Sequence, residues 1–325
     1  MSAIPAPHGR VRGLLEQRRP RHGESIFRGL VGAAAAFVLA VIAGLIVVIT
    51  SESLLGIEHN AGGFLLGTTW DPVNLVFGAL PFIYGTVMTS VTALVLATLI
   101  GVGVALFVVE LARPSLARPV GFMVEMLAAI PSVVYGLWGI FVLAPWLRDH
   151  VEIPLHDTLG WLPFFAGNPI GIDFFTAIVV LTIMILPTVA AVSRDVVAAV
   201  PGQQREAALA LGATRWEMIR IGVLPYARSG ILGAAILGLA RGVGETMAIT
   251  MVIGNSPNIS LSLFSQGYTM ASVVANEFTE ATTDIYRSSL MEIGLILLVI
   301  TLLINAAARL LVWRVAGPSS RGVLA

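Results

Sequence analysis

The sequence predicts an all-α integral membrane protein with six transmembrane helices and both termini in the cytoplasm. Three observations carry that prediction. First, 57% of the 325 residues are hydrophobic and only 12% are charged, against about 25% charged in a soluble globular domain, and mean hydropathy is +0.89. Second, six apolar stretches reach the ~20 residues that a bilayer crossing needs: 29–50, 82–109, 120–146, 174–192, 230–253 and 288–312. Third, 15 of the 19 arginines lie before span one, between spans two and three, between four and five, or after span six, whereas the opposite loops hold only Arg148 and Arg287. Basic residues stay on the cytoplasmic side, so this imbalance sets an N-in, C-in orientation.

Along the chain, residues 1–28 form a basic cytoplasmic tail suited to anionic lipid. Residues 29–312 form the membrane domain, and residues 313–325 form a C-terminal cytoplasmic tail. The first span is too long for a signal-peptide core and no small-residue cleavage site follows it, so it reads as a retained anchor. Residues 51–81 and 147–173 are rich in Gly, Pro, Asn and Asp, as loops are. Their polar side chains, His150, Glu152, His156 and Asp157 among them, read as solvated rather than as a metal site. Pro131 and Pro187 are expected to kink spans three and four, while Glu125 and Glu292 lie near enough to span ends to reach the interface. Residues 254–287 repeat Leu261, Phe264, Tyr268, Ala271, Val274 and Phe278 at helical spacing, which predicts an amphipathic surface helix.

Composition also excludes chemistry. The chain has no cysteine and no lysine, all 19 basic residues being arginine. Without lysine it carries neither the P-loop that cradles nucleotide phosphates nor a Schiff base. No cofactor or metal is called for. The 19 acidic residues balance the 19 basic ones, so nucleic acid is not an expected partner. A membrane enzyme needs a nucleophile–base pair or a metal cluster, and the spans hold neither histidine nor paired acids.

The cytoplasmic loop 193–229 is the most patterned part of the chain. Pro201 suits the first turn of a helix, and Arg205-Glu206-Ala207-Ala208-Leu209-Ala210-Leu211 follows. Gly212 stands where a C′ glycine ends a helix. Thr214 and Glu217 make a capping box for a second helix, which Leu224-Pro225 is expected to close before span five. A rigid helix–glycine–helix knob on the cytoplasmic face results.

Span five carries Arg241 near its middle. An ionised group there costs about 2.5–3.5 kcal/mol on insertion scales and needs a partner or a cavity. Glu245 lies at i+4, on the same face of a continuous helix. Two readings stand: an ion pair within one helix, or an anion waypoint in which the flat guanidinium fork receives an oxyanion and Glu245 limits its stay. Gly230, Ala234, Gly238 and Gly242 recur every fourth residue, a ridge that allows close helix contact.

Two resemblances follow. Glu206-Ala207-Ala208, Gly212 and Leu224-Pro225 resemble the EAA-x3-G-x9-I-x-L-P motif of ABC importer permeases, without gaps; the motif's isoleucine falls on Gly222, with Ile221 one place earlier. Arg241-Gly-Val-Gly-Glu245-Thr-Met-Ala, Trp70-Asp71-Pro72, the run Phe77 to Thr86 and Ala275-Asn276-Glu277-Phe278 resemble the C-type subunit of phosphate-specific ABC permeases, over residues 65–312. The resemblance implies a type I ABC importer permease fold in a bacterial plasma (inner) membrane. It implies import of inorganic phosphate, with sulfate or molybdate as the alternative. The implied partners are an A-type permease subunit, two copies of an ABC ATPase and an extracytoplasmic phosphate-binding protein. In that family the loop with Glu206, Ala207, Ala208, Gly212, Leu224 and Pro225 docks on the ATPase, and ATP hydrolysis belongs to that separate chain.

Overall fold

A computed structural model describes residues 22–316, with side chains from 26 to 314. Most of the expected tails, 1–28 and 313–325, lies outside the described residues. In chain order the elements are α1 (His22–Asn60), a ribbon of β1 (Trp70–Asp71) and β2 (Val76–Phe77), and α2 (Leu80–Leu106), which a π turn at Phe107–Leu111 extends. Next come α3 (Pro114–Ala128), α4 (Ser132–Trp138), α5 (Ala144–Leu147) and α6 (Ile153–Leu159), the last three joined by π turns. Then follow α7 (Phe174–Ala198), α8 (Gly202–Ala210) and α9 (Arg215–Met218), whose π turn at Ile219–Val223 runs into α10 (Leu224–Val243). The chain ends with α11 (Met247–Val252), α12 (Met270–Glu277) and α13 (Asp284–Ala316).

The chain up to Ser51 is one unit and the chain from Glu52 another. In the first, every side chain from Ile26 to Leu45 is exposed. An apolar helix that meets all its backbone hydrogen bonds internally is the form that lipid accepts.

The second unit is built around α7, which packs on α2 and α10. Its core joins Val180, Leu181, Met184 and Ile185 of α7 to Ala93 and Ala97 of α2, Ala234 of α10 and Ile249 of α11. Lipid tails are as apolar as leucine, so close packing rather than escape from water holds such helices together. The small-residue ridge on α10 does this against α7. A Cβ on Gly238 would lie 2.8 Å from both Ile185 Cγ2 and Val189 Cγ2, and one on Gly242 would lie 2.8 Å from Ile185 Cδ1.

Three expectations change and one holds. Helix α1 continues through Asn60, so the first outer loop starts helical. The third span does kink at Pro131 as expected, and sharply: Pro114–Ala128 and Ser132–Leu159 meet at 95°. Pro131, with φ −61° and ψ 144°, lacks the N–H that would continue the ladder. Over 254–287 only Met270–Glu277 is helical before Asp284; Phe264 and Tyr268 are instead fully buried in the preceding loop. Finally, Leu224-Pro225 does not end the second helix of the knob, because proline is tolerated in a first turn and the π turn passes directly into α10.

Two acids also find partners that sequence did not show. Glu125 accepts from Arg194 Nη1 at 2.6 Å, tying α3 to α7. Glu292 on α13 accepts from Asn60 Nδ2 at 2.9 Å.

Candidate functional site

The fifth span is interrupted where its charges lie. Gly242 and Gly244 weaken the helix, since glycine is among the poorest helix formers, and α10 ends with Gly244 as its C-cap. Helix α11 starts at Met247 and packs on α4. Arg241 therefore occupies the last turn of α10, where the negative end of the helix dipole favours a cation. Glu245 falls in the break, and its Oε1 accepts from Ala248 N at 3.3 Å, satisfying one of the orphan donors of the next helix.

The two residues consequently do not form the i, i+4 ion pair expected of a continuous helix. Arg241 Nη1 donates to Thr188 Oγ1 of α7 at 3.3 Å. Thr188 is the only hydrogen-bonding partner of Arg241 among the described residues. Both Arg241 and Glu245 are half-buried. The arrangement is a guanidinium at an interrupted span, held by one neutral hydroxyl, with its other donors not used within the described residues. Thr188 carried no signal of its own, since a threonine within an apolar span reads as ordinary packing.

The helix–glycine–helix knob forms as its local pattern dictates. Gly212 has φ +83°, and the bonds Gly212 N to Leu209 O and Ala213 N to Ala208 O, 3.0 and 3.2 Å, make a Schellman corner. The Thr214–Glu217 capping box is present in both directions. Gly222, where the motif's isoleucine would stand, is buried, and a Cβ there would lie 3.1 Å from Gln204 O. Glycine lets the two arms of this knob close on each other. Met218, Ile219 and Val223 bury its root with Val197 and Val200. Ala208 faces that root, while Glu206, Ala207 and Pro225 are exposed and Leu224 is half-buried. The outer surface is unexpectedly apolar: Leu211 is 87% and Trp216 63% exposed. The capping pattern located these residues but did not show which way they point.

On the opposite face, the remaining motif segments form one clamp. Glu277 Oε2 accepts from Trp70 Nε1 at 2.8 Å and from the Tyr286 hydroxyl at 2.6 Å. The Trp70 ring packs edge-on against Phe77 and Phe82, each at 4.8 Å. Asn276 Nδ2 donates to the Tyr268 hydroxyl at 2.8 Å, and Met270 N donates to Thr86 Oγ1 at 2.9 Å. Segments some 200 positions apart are thus one structural unit tying the ribbon and α12 to the N-terminal turns of α2 and α13.

Glu152 also departs from expectation. It is fully buried rather than solvated, and accepts from Gly171 N at 3.1 Å and Thr176 Oγ1 at 3.4 Å. Beside it Asp173, also fully buried, caps α7 by accepting from Thr176 N at 3.0 Å. Burial, then the neighbouring Glu152 carboxylate, push the Asp173 carboxyl up from 3.8 to about 8.

Residues 97–317 match the family model of the binding-protein-dependent transport system inner membrane component. The chain is 45% identical over 297 residues to the phosphate transport system permease protein PstC of Mesorhizobium japonicum, covering 90% of each chain. It is 45% identical to PstC of Haemophilus influenzae, covering 89% of this chain and 93% of that one. It is 40% identical to PstC 2 of Mycobacterium tuberculosis, covering 91% and 93%. Two crystal forms of the inward-facing MetNI methionine ABC transporter share the fold, with TM-scores of 0.53 and 0.56 at 21% and 20% identity. They cover 71% and 76% of this chain and 93% and 99% of theirs.

Proposed function

The chain belongs to the family of binding-protein-dependent transport system inner membrane components, and from that premise we propose that it is the permease subunit of an ATP-driven importer of inorganic phosphate. Its relatives over some nine-tenths of its length are phosphate permeases. It is a multi-pass inner-membrane protein with the fold of type I importer permeases. The observation that carries the anion reading is Arg241 at the break between α10 and α11, bonded to Thr188 and not neutralised by Glu245, while the choice of phosphate among oxyanions rests on the relatives.

The proposed path runs past this break. Arginine presents five donors in a planar fork that matches phosphate oxygens, and Thr188 engages one nitrogen without cancelling the charge. An anion is attracted there, and a hydroxyl competes with it far less than a carboxylate would. Glu245 sets the geometry of the break by capping α11, and its negative charge nearby limits how long the anion stays.

Energy enters through the knob. In this reading Glu206, Ala207, Ala208, Gly212, Leu224 and Pro225 define a coupling hairpin, and exposed Leu211 and Trp216 enter a groove on a separate ATPase. An apolar tip on a rigid corner is the form that docking requires, since exposed aromatic anchors carry much of the energy of an interface. Two ATPase copies, an A-type permease subunit and a phosphate-binding protein on the outer face complete the assembly, with both termini of this chain in the cytoplasm. The test is uptake by the reconstituted complex with phosphate and sulfate compared: ATP-dependent phosphate uptake supports the assignment, and sulfate uptake without phosphate uptake overturns it.

A further inference from the structure

One residue of the knob is not on its docking surface. Arg205, immediately before the motif, turns inward from α8 and meets two other elements. Its Nε and Nη2 donate to Glu110 Oε1 at 3.0 and 2.8 Å. Its Nη2 also donates to Val197 O at 2.9 Å, and its Nη1 to Val200 O. Glu110 lies in the π turn that ends α2 and its side chain is only 6% exposed, against 21% for Arg205. Val197 lies in the last turn of α7, where helix carbonyls run out of intrahelical partners, and Val200 lies two residues past the helix end.

A single guanidinium therefore joins the knob to two spans. One of them, α7, is continuous from Phe174 to Ala198. Thr188, the partner of Arg241, lies on it nine residues before Val197, about 14 Å along the helix. The π turn also matters. Such turns add a residue to the helical ladder and recur at functional positions, and here the turn places Glu110 against Arg205. Met218, Ile219 and Val223 form the apolar root of the knob, but apolar contacts slide. The fork fixed on a carboxylate and two carbonyls is directional.

We propose that Arg205, with Glu110, is the positioning residue that transmits movement of the docked knob to α2 and α7, and through α7 to the Thr188–Arg241 contact. This rests on the reading of the knob as the ATPase-docking element. The pair touches neither nucleotide nor anion, so its loss uncouples the two activities and leaves each partly intact.

The test uses the whole importer complex in proteoliposomes. Arg205→Gln combined with Glu110→Gln leaves no buried charge unpaired, and Arg205→Lys keeps the charge without the fork. The readout is phosphate moved per ATP hydrolysed, which a contact that only holds the fold does not alter in assembled complexes. The neutral pair is expected to assemble, to hydrolyse ATP and to move about tenfold less phosphate per ATP, within the range by which coupling residues act, with Arg205→Lys intermediate. Parent-level transport per ATP in the neutral pair overturns the proposal. So does loss of the assembled complex in both variants, since the contact is then a folding contact. A Leu211→Cys probe in the otherwise cysteine-free chain separates this from the docking reading. If it crosslinks to the ATPase while the neutral pair transports normally, only the transmission role of Arg205 falls. If it does not crosslink, docking itself falls, and the transmission role with it.

Discussion

Replacing Gly212 tests the knob as a shaped object. Its φ of +83° lies in the region that side chains on L-residues disfavour, and a Cβ added there meets nothing within 4 Å. The cost of a side chain is therefore conformational and not steric, about 1–2 kcal/mol for holding an L-residue left-handed. That is a roughly 5- to 30-fold change in the population of the Schellman corner. A β-branched side chain belongs at the upper end, because its backbone freedom is the smallest. Asparagine, which adopts this conformation readily, belongs near parent behaviour. The assay is ATPase co-purification and phosphate uptake per assembled complex across Gly212→Asn, Gly212→Ala and Gly212→Val. Coupling is expected to fall in that order. Parent-level uptake with Val refutes the argument. Asn as damaging as Val refutes it too, since the effect would then come from the side chain at the docking surface and not from the backbone.

Other outcomes follow from the same geometry. Arg241→Gln is expected to abolish phosphate uptake in a complex that still assembles, with Arg241→Lys also impaired because a point charge lacks the fork; near-parent uptake in Arg241→Met/Glu245→Leu, normalised to assembled complex, rules out the waypoint. Glu245→Gln retains an acceptor for Ala248 N and is expected to be milder than Glu245→Leu; equal loss of uptake argues against the capping role. Asp173, raised to about 8, stays protonated in the folded chain while the unfolded chain ionises near 4. The folded state thus binds more protons in that window, and stability falls as pH rises through it, levelling above about 8. Thermal unfolding in detergent at about pH 5 and about pH 8 is expected to show this loss in the parent and less of it in Asp173→Asn, and equal losses contradict it. Arg215→Cys, on the exposed knob, is expected to react with impermeant thiol reagent only from the cytoplasmic side; labelling from outside inverts the topology.

What sequence made legible here is what depends on near neighbours. A span needs only a run of apolar residues. The Gly212 corner and the Thr214–Glu217 box close hydrogen bonds within five residues, so their pattern is their structure. The ridge from Gly230 to Gly242 was readable for the same reason: periodicity shows that a face is small, though not that Ile185 and Val189 of α7 fill it.

The tertiary structure decided what sits beside what. The Arg241–Glu245 pairing assumed a continuous helix, yet Gly242 in the last turn of α10 and Gly244 just after it let the chain break where α4 and α7 hold its two halves. Arg241 then turned to a hydroxyl 53 residues away, and Glu245 became a cap. Arg205 reads in sequence as one more cytoplasmic arginine, and its carboxylate partner stands 95 residues earlier. Glu152 reads as a solvated loop acid until Gly171 and Thr176 close over it. A charged side chain has no periodic signature of its partner, because the partner is chosen by the fold that removes it from solvent. Sequence by itself determined that this chain is built of apolar helices long enough to cross a membrane and carries a shaped helix–glycine–helix knob. Only packing determined which charges are paired, which meet a neutral hydroxyl instead, and which tie the knob to the spans.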